Sequence, residues 1–417
     1  MARPSPWLTL VFLLVGLLLL REPRFAQVEE FFLRWLLGHS RASAASVPLT
    51  VVEIGKDPLM DLKQPQKSGS PAATGSREGA PVSPLEFALF LQSVLDFQPG
   101  VVAFENVLKW RETDKDQEQV FLDQAMRVPK LLLAAELSEN PDPDAPGAEI
   151  RGFPHVTGNR GNLPAFSGIG RQPGEDLRLI STPGFVNLPA QVSSAIRVPL
   201  LFLYRGEVVP SFPLQAMLLW LRATPADVKV VLGSHIALPQ DRRIPIASDG
   251  SLLVDPNGSK AAHRLSLNEL LLAAQQRETG GSSSQQAPEI RDHVVLARTP
   301  ANPLSPPDLF SAAIATLQSG RYLRRISPVF DWAVLLVLSV TAGVIRKVAR
   351  TDLVLCGIAF TAAYCLVALG TLSRWNVWLP GIFPLCVAWA AILTAFFRRR
   401  KKDSKPGSIS PIPPPIA

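Results

Sequence analysis

The chain has 417 residues, more than a typical single domain, so its length admits two cores or one large domain joined to a membrane module. The hydrophobic content of 47% is unevenly spread, because apolar runs lie near both ends and a soluble composition lies between them. Much of the net charge of +7 lies beside those runs, which favours a topology signal over nucleic-acid binding. Cys356, Cys365 and Cys386 all fall in the last apolar stretches, which excludes a disulfide or a thiolate zinc site from the long middle section.

The first apolar run, residues 7–20, fits two kinds of segment. It is short for a membrane span, which needs about 20 residues, and it matches the core of a secretory signal peptide. A signal peptide is cut close behind its core, whereas Arg21-Glu22-Pro23-Arg24 follows here and the nearest small-x-small site, Ala42-Ser43-Ala44, is far downstream. The sequence therefore favours an uncleaved signal anchor over residues 1–24, with cleavage as the alternative.

The next segments begin the part that lies outside the membrane. Residues 25–36 carry apolar side chains at helical spacing, which predicts an amphipathic helix leaving the membrane. Residues 48–54 form an apolar run typical of a buried strand. The Gly/Ser/Pro/Ala-rich stretch 64–84 cannot bury enough apolar surface to order itself, which predicts a mobile loop.

Alternating helix and strand patterns follow this loop. Residues 85–97 and 121–126 predict helices, and residues 101–104 and 130–135 predict strands. Two strands connected through one helix imply a right-handed crossover and a parallel pair. The predicted fold class is therefore an α/β extracytoplasmic domain with a largely parallel central sheet.

The rest of the middle section gives weaker signals. Residues 139–178 are rich in Pro, Gly and Asn and predict only short regular pieces. Strands are predicted over residues 200–204, 228–232, 252–254 and 293–297, and helices over 214–221 and 265–275. Ser266 and Glu269 have the spacing of a capping box near the start of the last of these helices.

Three apolar runs near the C-terminus, residues 329–345, 353–372 and 377–397, are each long enough to cross a bilayer. Arg346, Lys347 and Arg350 lie in one loop and a second basic cluster covers residues 398–402, so both clusters are cytoplasmic if the runs span the membrane. With the N-terminal anchor, this predicts four transmembrane α-helices, the last three over residues 329–397. The external domain then covers residues 25–328, and residues 398–417 form a basic, Pro-rich cytoplasmic tail.

Several motifs occur in a characteristic order along the middle section. They are Val51-Val52-Glu53-Ile54, Pro99-Gly100-Val101-Val102-Ala103-Phe104-Glu105, Gly184-Phe185-Val186-Asn187, Arg197-Val198-Pro199-Leu200, Ile244-Pro245-Ile246 with Asp249-Gly250, and Leu317-Gln318-Ser319-Gly320-Arg321-Tyr322-Leu323-Arg324-Arg325. In this order, between one N-terminal and three C-terminal apolar runs, they resemble the second class of CHASE domain. That domain is an extracellular sensory domain associated with cyclases and histidine kinases.

The resemblance covers residues 25–345 and includes departures that mark a divergent member. Glu53 and Glu105 stand where the family usually has aspartates, and Ser193-Ser194 replaces an Asp-Gly pair ahead of Arg197. The low-complexity stretch replaces an expected Trp-Pro-Trp segment. Family members commonly continue into a cyclase, kinase or other output domain, whereas only the short tail follows residue 397 here. The resemblance thus implies a sensor that lacks an output domain and depends on a separate protein for output.

The sequence offers little sign of catalytic chemistry. No phosphate-binding loop, nucleophile elbow or zinc-protease motif occurs, and the five histidines are scattered singly. Asp114, Asp116 and Glu118 imitate the start of a calcium loop but lack its central glycine, which favours a solvated turn. No catalytic residue, metal site or cofactor is predicted, and the chain is not expected to be an enzyme.

Glu53 and Glu105 are the candidate site, because each ends an apolar strand and the predicted crossover places those strands side by side. Ligands of open α/β sheets bind at the carboxyl ends of strands, so the pair could hold a cation or a polar ligand. Asn187 and Arg197, from two of the motifs above, complete the predicted ligand-binding set. In the alternative, each glutamate caps a helix or pairs with an arginine such as Arg197 and is structural.

These features predict a membrane-anchored sensory or signal-input protein of the bacterial cytoplasmic (inner) membrane, with its large domain outside the cytoplasm. It would bind an unknown ligand or envelope partner and relay to a separate cytoplasmic output protein. The alternative is an envelope scaffold or membrane-complex assembly subunit with no ligand. The lipid bilayer is an expected partner in both cases, nucleic acid is not, and a homo-oligomer stays open.

Overall fold

A computed structural model describes residues 23–40, 46–55, 82–110, 114–140, 151–188, 196–279, 290–299, 308–326, 329–337 except 331 and 335, 350–382, 384–390 and 392–393. The chain divides into two compact units. The larger unit is Ala42–Tyr322, and the smaller unit combines Met1–Arg41 with Leu323–Ala417.

The described residues include the α-helices α1 (Pro23–His39), α2 (Pro84–Leu95), α3 (Lys115–Ala125), α4 (Glu175–Ile180), α5 (Phe212–Leu221), α6 (Leu267–Glu278), α7 (Leu309–Ser319) and α8 (Arg350–Trp375). The strands are β1 (Leu49–Glu53), β2 (Val101–Phe104), β3 (Leu131–Ala135), β4 (Leu137–Ser138), β5 (His155–Thr157), β6 (Ala165–Phe166), β7 (Gly168–Ile169), β8 (Thr182–Phe185), β9 (Arg197–Pro199), β10 (Leu201–Tyr204), β11 (Glu207–Pro210), β12 (Lys229–Val231), β13 (His235–Leu238), β14 (Arg242–Pro245), β15 (Ser251–Leu253), β16 (His263–Ser266), β17 (Val294–Arg298), β18 (Arg324–Arg325) and β19 (Val377–Trp378).

The centre of the larger unit is a six-stranded sheet in the order β16-β1-β17-β2-β3-β8, and every neighbouring pair is parallel. Its inner strands are continuous apolar runs, such as the fully buried β2 and β3, because helices cover both faces of the sheet. The predicted α/β fold class with a parallel central sheet is confirmed.

Each face of the sheet has its own hydrophobic core. On one face, α2, α3 and α6 pack Phe90, Phe121 and Leu270 against strand residues such as Val52 and Phe104. On the other face, α5 and α7 pack residues such as Phe212 and Phe310 against strand residues such as Val51 and Leu296. The result is a three-layer helix–sheet–helix arrangement.

The remainder of the larger unit consists of small sheets. Their orders are β11-β10-β6, β14-β13-β12-β5, β15-β9 and β4-β7. A further core, including Val198, Val230, Ile236 and Ile244, lies beneath the first three of these sheets and is completed by α5 and α7. The β4-β7 pair packs into a smaller core with Phe202 and Val209. Helices α5 and α7 therefore serve both the parallel sheet and this second region.

Most of the strong sequence patterns are confirmed. The strands predicted at residues 48–54, 101–104 and 130–135 and the helix at 85–97 match β1, β2, β3 and α2. The predicted capping box also forms, since Ser266 Oγ accepts the Glu269 N–H at 3.2 Å while Glu269 Oε2 accepts the Ser266 N–H at 2.7 Å. The helix predicted from residue 265 begins two residues later, because Leu265 and Ser266 belong to β16.

The smaller unit contains α1, α8 and the parallel pair β18-β19. The amphipathic helix predicted at residues 25–36 is confirmed as α1. Among the described residues, one helix is long and apolar enough to cross a membrane, Val354–Trp375 within α8. The predicted anchor run at 7–20 and almost all of the predicted loop at 64–84 lie outside the described residues.

Candidate functional site

The carboxyl edge of the parallel sheet gathers several charged side chains. Strand β1 ends at Glu53, β17 ends at Arg298, and Glu105 directly follows β2. Glu53 and Arg298 are register partners, and Arg264 is two residues before the end of β16 on the other side of β1. Because all these strands are parallel, their carboxyl ends meet at one edge of the sheet.

The predicted direct pairing of the two glutamate-bearing strands is wrong. Strand β17 lies between β1 and β2, so Glu53 and Glu105 are two strand spacings apart, about 10 Å, rather than one. The local strand–helix–strand order correctly gives a parallel relationship. It could not reveal that a strand almost two hundred residues downstream inserts between the two partners.

Arg298 and Arg264 connect three carboxylates into one chain of ion pairs. Arg298 Nε lies 3.3 Å from Glu105 Oε1, and its Nη1 lies 2.5 Å from Asp308 Oδ1. Arg264 Nη2 lies 2.6 Å from the same Asp308 oxygen, and its Nη1 lies 4.0 Å from Glu53 Oε1. These five residues, Glu53, Arg264, Asp308, Arg298 and Glu105, are called the edge cluster below.

Burial divides the edge cluster into two halves. The side chains of Glu105 and Arg298 are only 3% and 12% exposed. Those of Glu53, Asp308 and Arg264 are 29%, 33% and 39% exposed. A molecule arriving from solvent can therefore reach the Glu53, Arg264 and Asp308 half, where groups of both charges are presented together.

Asp308 occupies a special backbone position. It is the residue before α7 and adopts a left-handed conformation with φ of 68°, which costs free energy for a residue with a Cβ. Its carbonyl oxygen accepts the Ala312 N–H at 2.9 Å and the Ser311 hydroxyl at 3.0 Å. The two arginines thus fix the residue that precedes α7 to the edge of the sheet.

This arrangement bears on the expected cation between the two glutamates. Two nearby carboxylates raise each other's proton affinity unless positive charge lies between them. Here the Arg298 guanidinium at the end of the intervening strand supplies that charge. The structural alternative is therefore realised in part, with Arg298 and Arg264 as the partners.

Asn187 and Arg197 are not part of the edge cluster. Asn187 binds the backbone of Leu137, accepting its N–H at 2.7 Å and donating to its carbonyl at 2.8 Å. These bonds tie the segment after β8 to β4. Arg197 lies on β9, whose only strand partner among the described residues is β15, away from the central sheet. Of the four predicted site residues, the structure brings Glu53 and Glu105 to one edge.

Sequence reasoning missed Arg264, Arg298 and Asp308. Arg298 had a usable signal, since it follows the apolar run 294–297 as Glu53 and Glu105 follow theirs. Arg264 had none, because β16 was not recognised as a strand. Asp308 precedes an apolar helical run, the ordinary place for a cap, but its side chain binds the arginines instead.

No group of three or more His, Cys, Asp or Glu side chains suited to a metal ion occurs within the described ranges. Asp116 and Glu118, which imitate a calcium loop in sequence, lie in the first turn of α3. Negative side chains at that position interact favourably with the helix dipole.

A parallel sheet covered by helices on both faces, with charged side chains gathered at its carboxyl edge, defines an α/β domain with a parallel central sheet. The chain belongs to the CHASE2 domain family, whose family model matches residues 9–340. CHASE2 domains are sensory domains, so the chain carries a signal-input domain. No curated protein and no solved structure was found to match the chain.

Proposed function

We propose that the chain is a membrane-anchored, extracytoplasmic signal-input protein that detects a charged ligand at the accessible half of the edge cluster. The change passes through α7 to the membrane segments and from there to a separate cytoplasmic output protein. The chain acts as a sensor rather than an enzyme. The observation that carries the proposal is the attachment of Asp308, at the start of α7, to both arginines of the cluster.

The composition of the smaller unit supports membrane anchoring. Most of the apolar window of Val354–Trp375 is exposed, and Leu355, Leu366 and Val367 are more than half exposed. In water such a surface would be unfavourable, whereas in a bilayer it contacts lipid. The basic clusters at Arg346–Arg350 and at residues 398–402 support a cytoplasmic position for those loops.

Helix α7 provides the route for the signal. It packs on the central sheet through Phe310 and Ile314 and on the second core through Leu317. It ends at Ser319, and β18, which pairs with β19 in the smaller unit, begins at Arg324. A ligand that draws Arg264 away from Asp308 would weaken the hold on this strained residue, which directly precedes α7.

The accessible half of the cluster suits a ligand that carries both charges or a strong single charge. A cationic group would compete with Arg264 for Glu53 and Asp308, and an anionic group would compete with the carboxylates for Arg264. Each replaces an existing ion pair rather than filling an empty position. The ligand binds the state in which these ion pairs are broken more tightly than the state in which they are formed. This difference in affinity supplies the free energy that shifts the domain between the two states.

The alternative function, an envelope scaffold without a ligand, is favoured by one specific observation. Glu105 is buried against Arg298, and Asn187 is hydrogen-bonded to the Leu137 backbone, so two of the four predicted site residues have structural contacts. In this case the edge cluster fixes a rigid domain. The cluster would still position α7, but no small molecule would alter the ion pairs of the cluster.

Affinity purification of the detergent-solubilised full chain separates the two functions. Recovery of a cytoplasmic protein with a kinase, cyclase or similar output domain supports the sensor. Recovery of envelope-assembly subunits alone supports the scaffold and contradicts the relay.

Labelling of whole cells tests the topology on which both functions depend. A cysteine introduced at Ser70 should react with an impermeant reagent from outside, and one at Ser404 should not. Reaction at both positions would contradict the proposed four crossings.

A further inference from the structure

Helix α1 carries three separate stripes of side chains. The first is buried within the smaller unit and consists of Glu29, Phe32, Leu33, Leu36 and Leu37. The second is apolar yet exposed: Val28, Phe31 and Trp35 are 45%, 67% and 40% exposed. At the angle of about 100° per residue of an α-helix, Glu30 and Arg34 form a third, polar stripe between the other two.

Two contacts fix the rotation of α1 within the smaller unit. Glu29 Oε2 accepts the backbone N–H of Gly381 at 2.9 Å, and this carboxylate is almost wholly buried. The Phe32 ring occupies the space that a side chain at position 381 would need, so only glycine allows this approach. Because these contacts point one stripe inwards, Val28, Phe31 and Trp35 are held on the outward side of the unit.

We propose that the stripe Val28, Phe31 and Trp35 contacts the lipid bilayer, so that α1 lies along the membrane surface. This inference rests on the membrane anchoring of the proposed function. It changes the role of α1, which sequence reasoning placed as the first helix of the external domain.

The other exposed side chains of the smaller unit favour lipid as the medium that contacts this stripe. The same unit exposes the apolar side chains of α8, and lipid is the medium that suits them. The Trp35 ring lies against His39 at the end of α1, with ring centroids 4.7 Å apart and the planes tilted by 34°. Tryptophan side chains favour the boundary between lipid and water.

The polar stripe fits the same position. A surface-lying helix buries its apolar stripe among the acyl chains and keeps its charged stripe at the headgroups and water. Glu30 and Arg34 are four residues apart, a spacing at which opposite charges on a helix attract. In the proposed topology, Gly381 lies near the outer end of the last apolar run, which places α1 at the outer surface of the membrane.

Spin-label accessibility tests this inference on the full chain in vesicles of phosphatidylethanolamine and phosphatidylglycerol. One variant carries Phe31→Cys and a second carries Glu30→Cys, each with the three native cysteines changed to serine. A third keeps Cys356, an exposed residue of α8, as the reference for lipid contact. The measured quantity is the collision rate of each label with oxygen, which concentrates in lipid, and with a water-soluble nickel complex.

The label at position 31 should collide several-fold more with oxygen than with nickel, as at Cys356, and the label at position 30 should show the reverse preference. Nickel access at position 31 would mean that the stripe faces water, and low access to both reagents would mean that a second copy or another protein covers it. If the Cys356 label is in contact with lipid, either result overturns this inference and leaves the proposed membrane anchoring intact. A Cys356 label that is open to nickel contradicts the membrane anchoring itself.

Discussion

The two halves of the edge cluster use the same ion-pair chemistry in different surroundings. Glu105 and Arg298 are buried, so separating them would leave a charge in a poorly solvated position. Glu53, Arg264 and Asp308 are partly exposed, so water and salt can replace each contact at little cost. The difference indicates that the buried half fixes the sheet edge, while the exposed half can exchange partners.

The largest effect is expected from breaking the buried half. Arg298→Ala leaves Glu105 buried without its guanidinium, and removal of one member of a buried pair costs about 3–5 kcal/mol of unfolding free energy. Urea unfolding of the purified chain measures this loss. Arg291→Ala, an exposed arginine in the same segment, is the matched control and should change little. If Arg298→Ala lost as little stability as Arg291→Ala, burial would not distinguish the two halves of the edge cluster.

A smaller effect is expected at Asp308, which lies in the exposed half and also contacts Arg298 of the buried half. Asp308→Ala loses both arginine contacts and keeps the left-handed backbone, whose strain alone is worth about 1–2 kcal/mol. Asp308→Asn keeps an acceptor oxygen, and asparagine tolerates this conformation, so most of the stability should remain. Thermal unfolding compares the two. If asparagine were as harmful as alanine, the negative charge rather than the geometry would hold α7.

The exposed half should contribute least among the ion pairs. Arg264→Gln is expected to cost about 0–1 kcal/mol, and the cost should shrink further in high salt because solvent screens this contact. Unfolding at low and high ionic strength measures both quantities. A loss as large as that of Arg298→Ala, unaffected by salt, would contradict the division.

Asp255 provides a carboxylate outside the cluster for comparison. Its Oδ1 accepts the Asn257 N–H at 2.9 Å, but burial raises its pKa above the ordinary value. The folded chain therefore binds this proton more tightly than the unfolded chain, and the resulting stability is lost as pH rises through the folded pKa. Asp255→Asn should gain stability relative to the parent chain from acid to neutral pH. Urea unfolding of both proteins across this pH range measures the difference. If their unfolding free energies changed in parallel with pH, the raised pKa of Asp255 would be contradicted.

The parallel sheet was largely predictable because its strands are buried on both faces and leave uninterrupted apolar runs, as in 101–104 and 130–135. Strands β8 and β16 were missed because they lack this signal. Strand β8 contains Pro183 and Gly184, and β16 carries the polar residues His263, Arg264 and Ser266. Edge strands of a sheet tolerate such residues, since only one side pairs.

The candidate site was only half predictable for a topological reason. Glu53 and Glu105 could be placed at the carboxyl ends of parallel strands from local order alone. The insertion of β17 between them depends on contacts between residues distant in sequence, which no local pattern encodes. The place of Arg298 between the two glutamates follows from that insertion, whereas Arg264 was missed because β16 was not recognised as a strand.

We expect a charged ligand to bind the exposed half of the edge cluster. The most direct test of this binding is a thermal-shift screen of small charged molecules, including amino acids, dicarboxylates, phosphate and divalent cations, on the detergent-solubilised full chain. The parent chain is compared with a Glu53→Gln, Arg264→Gln double variant, which keeps the buried pair. The proposed ligand binding predicts that at least one molecule raises the unfolding midpoint of the parent chain and leaves that of the variant unchanged. It is contradicted if every active molecule stabilises both proteins equally, or if none stabilises the parent chain.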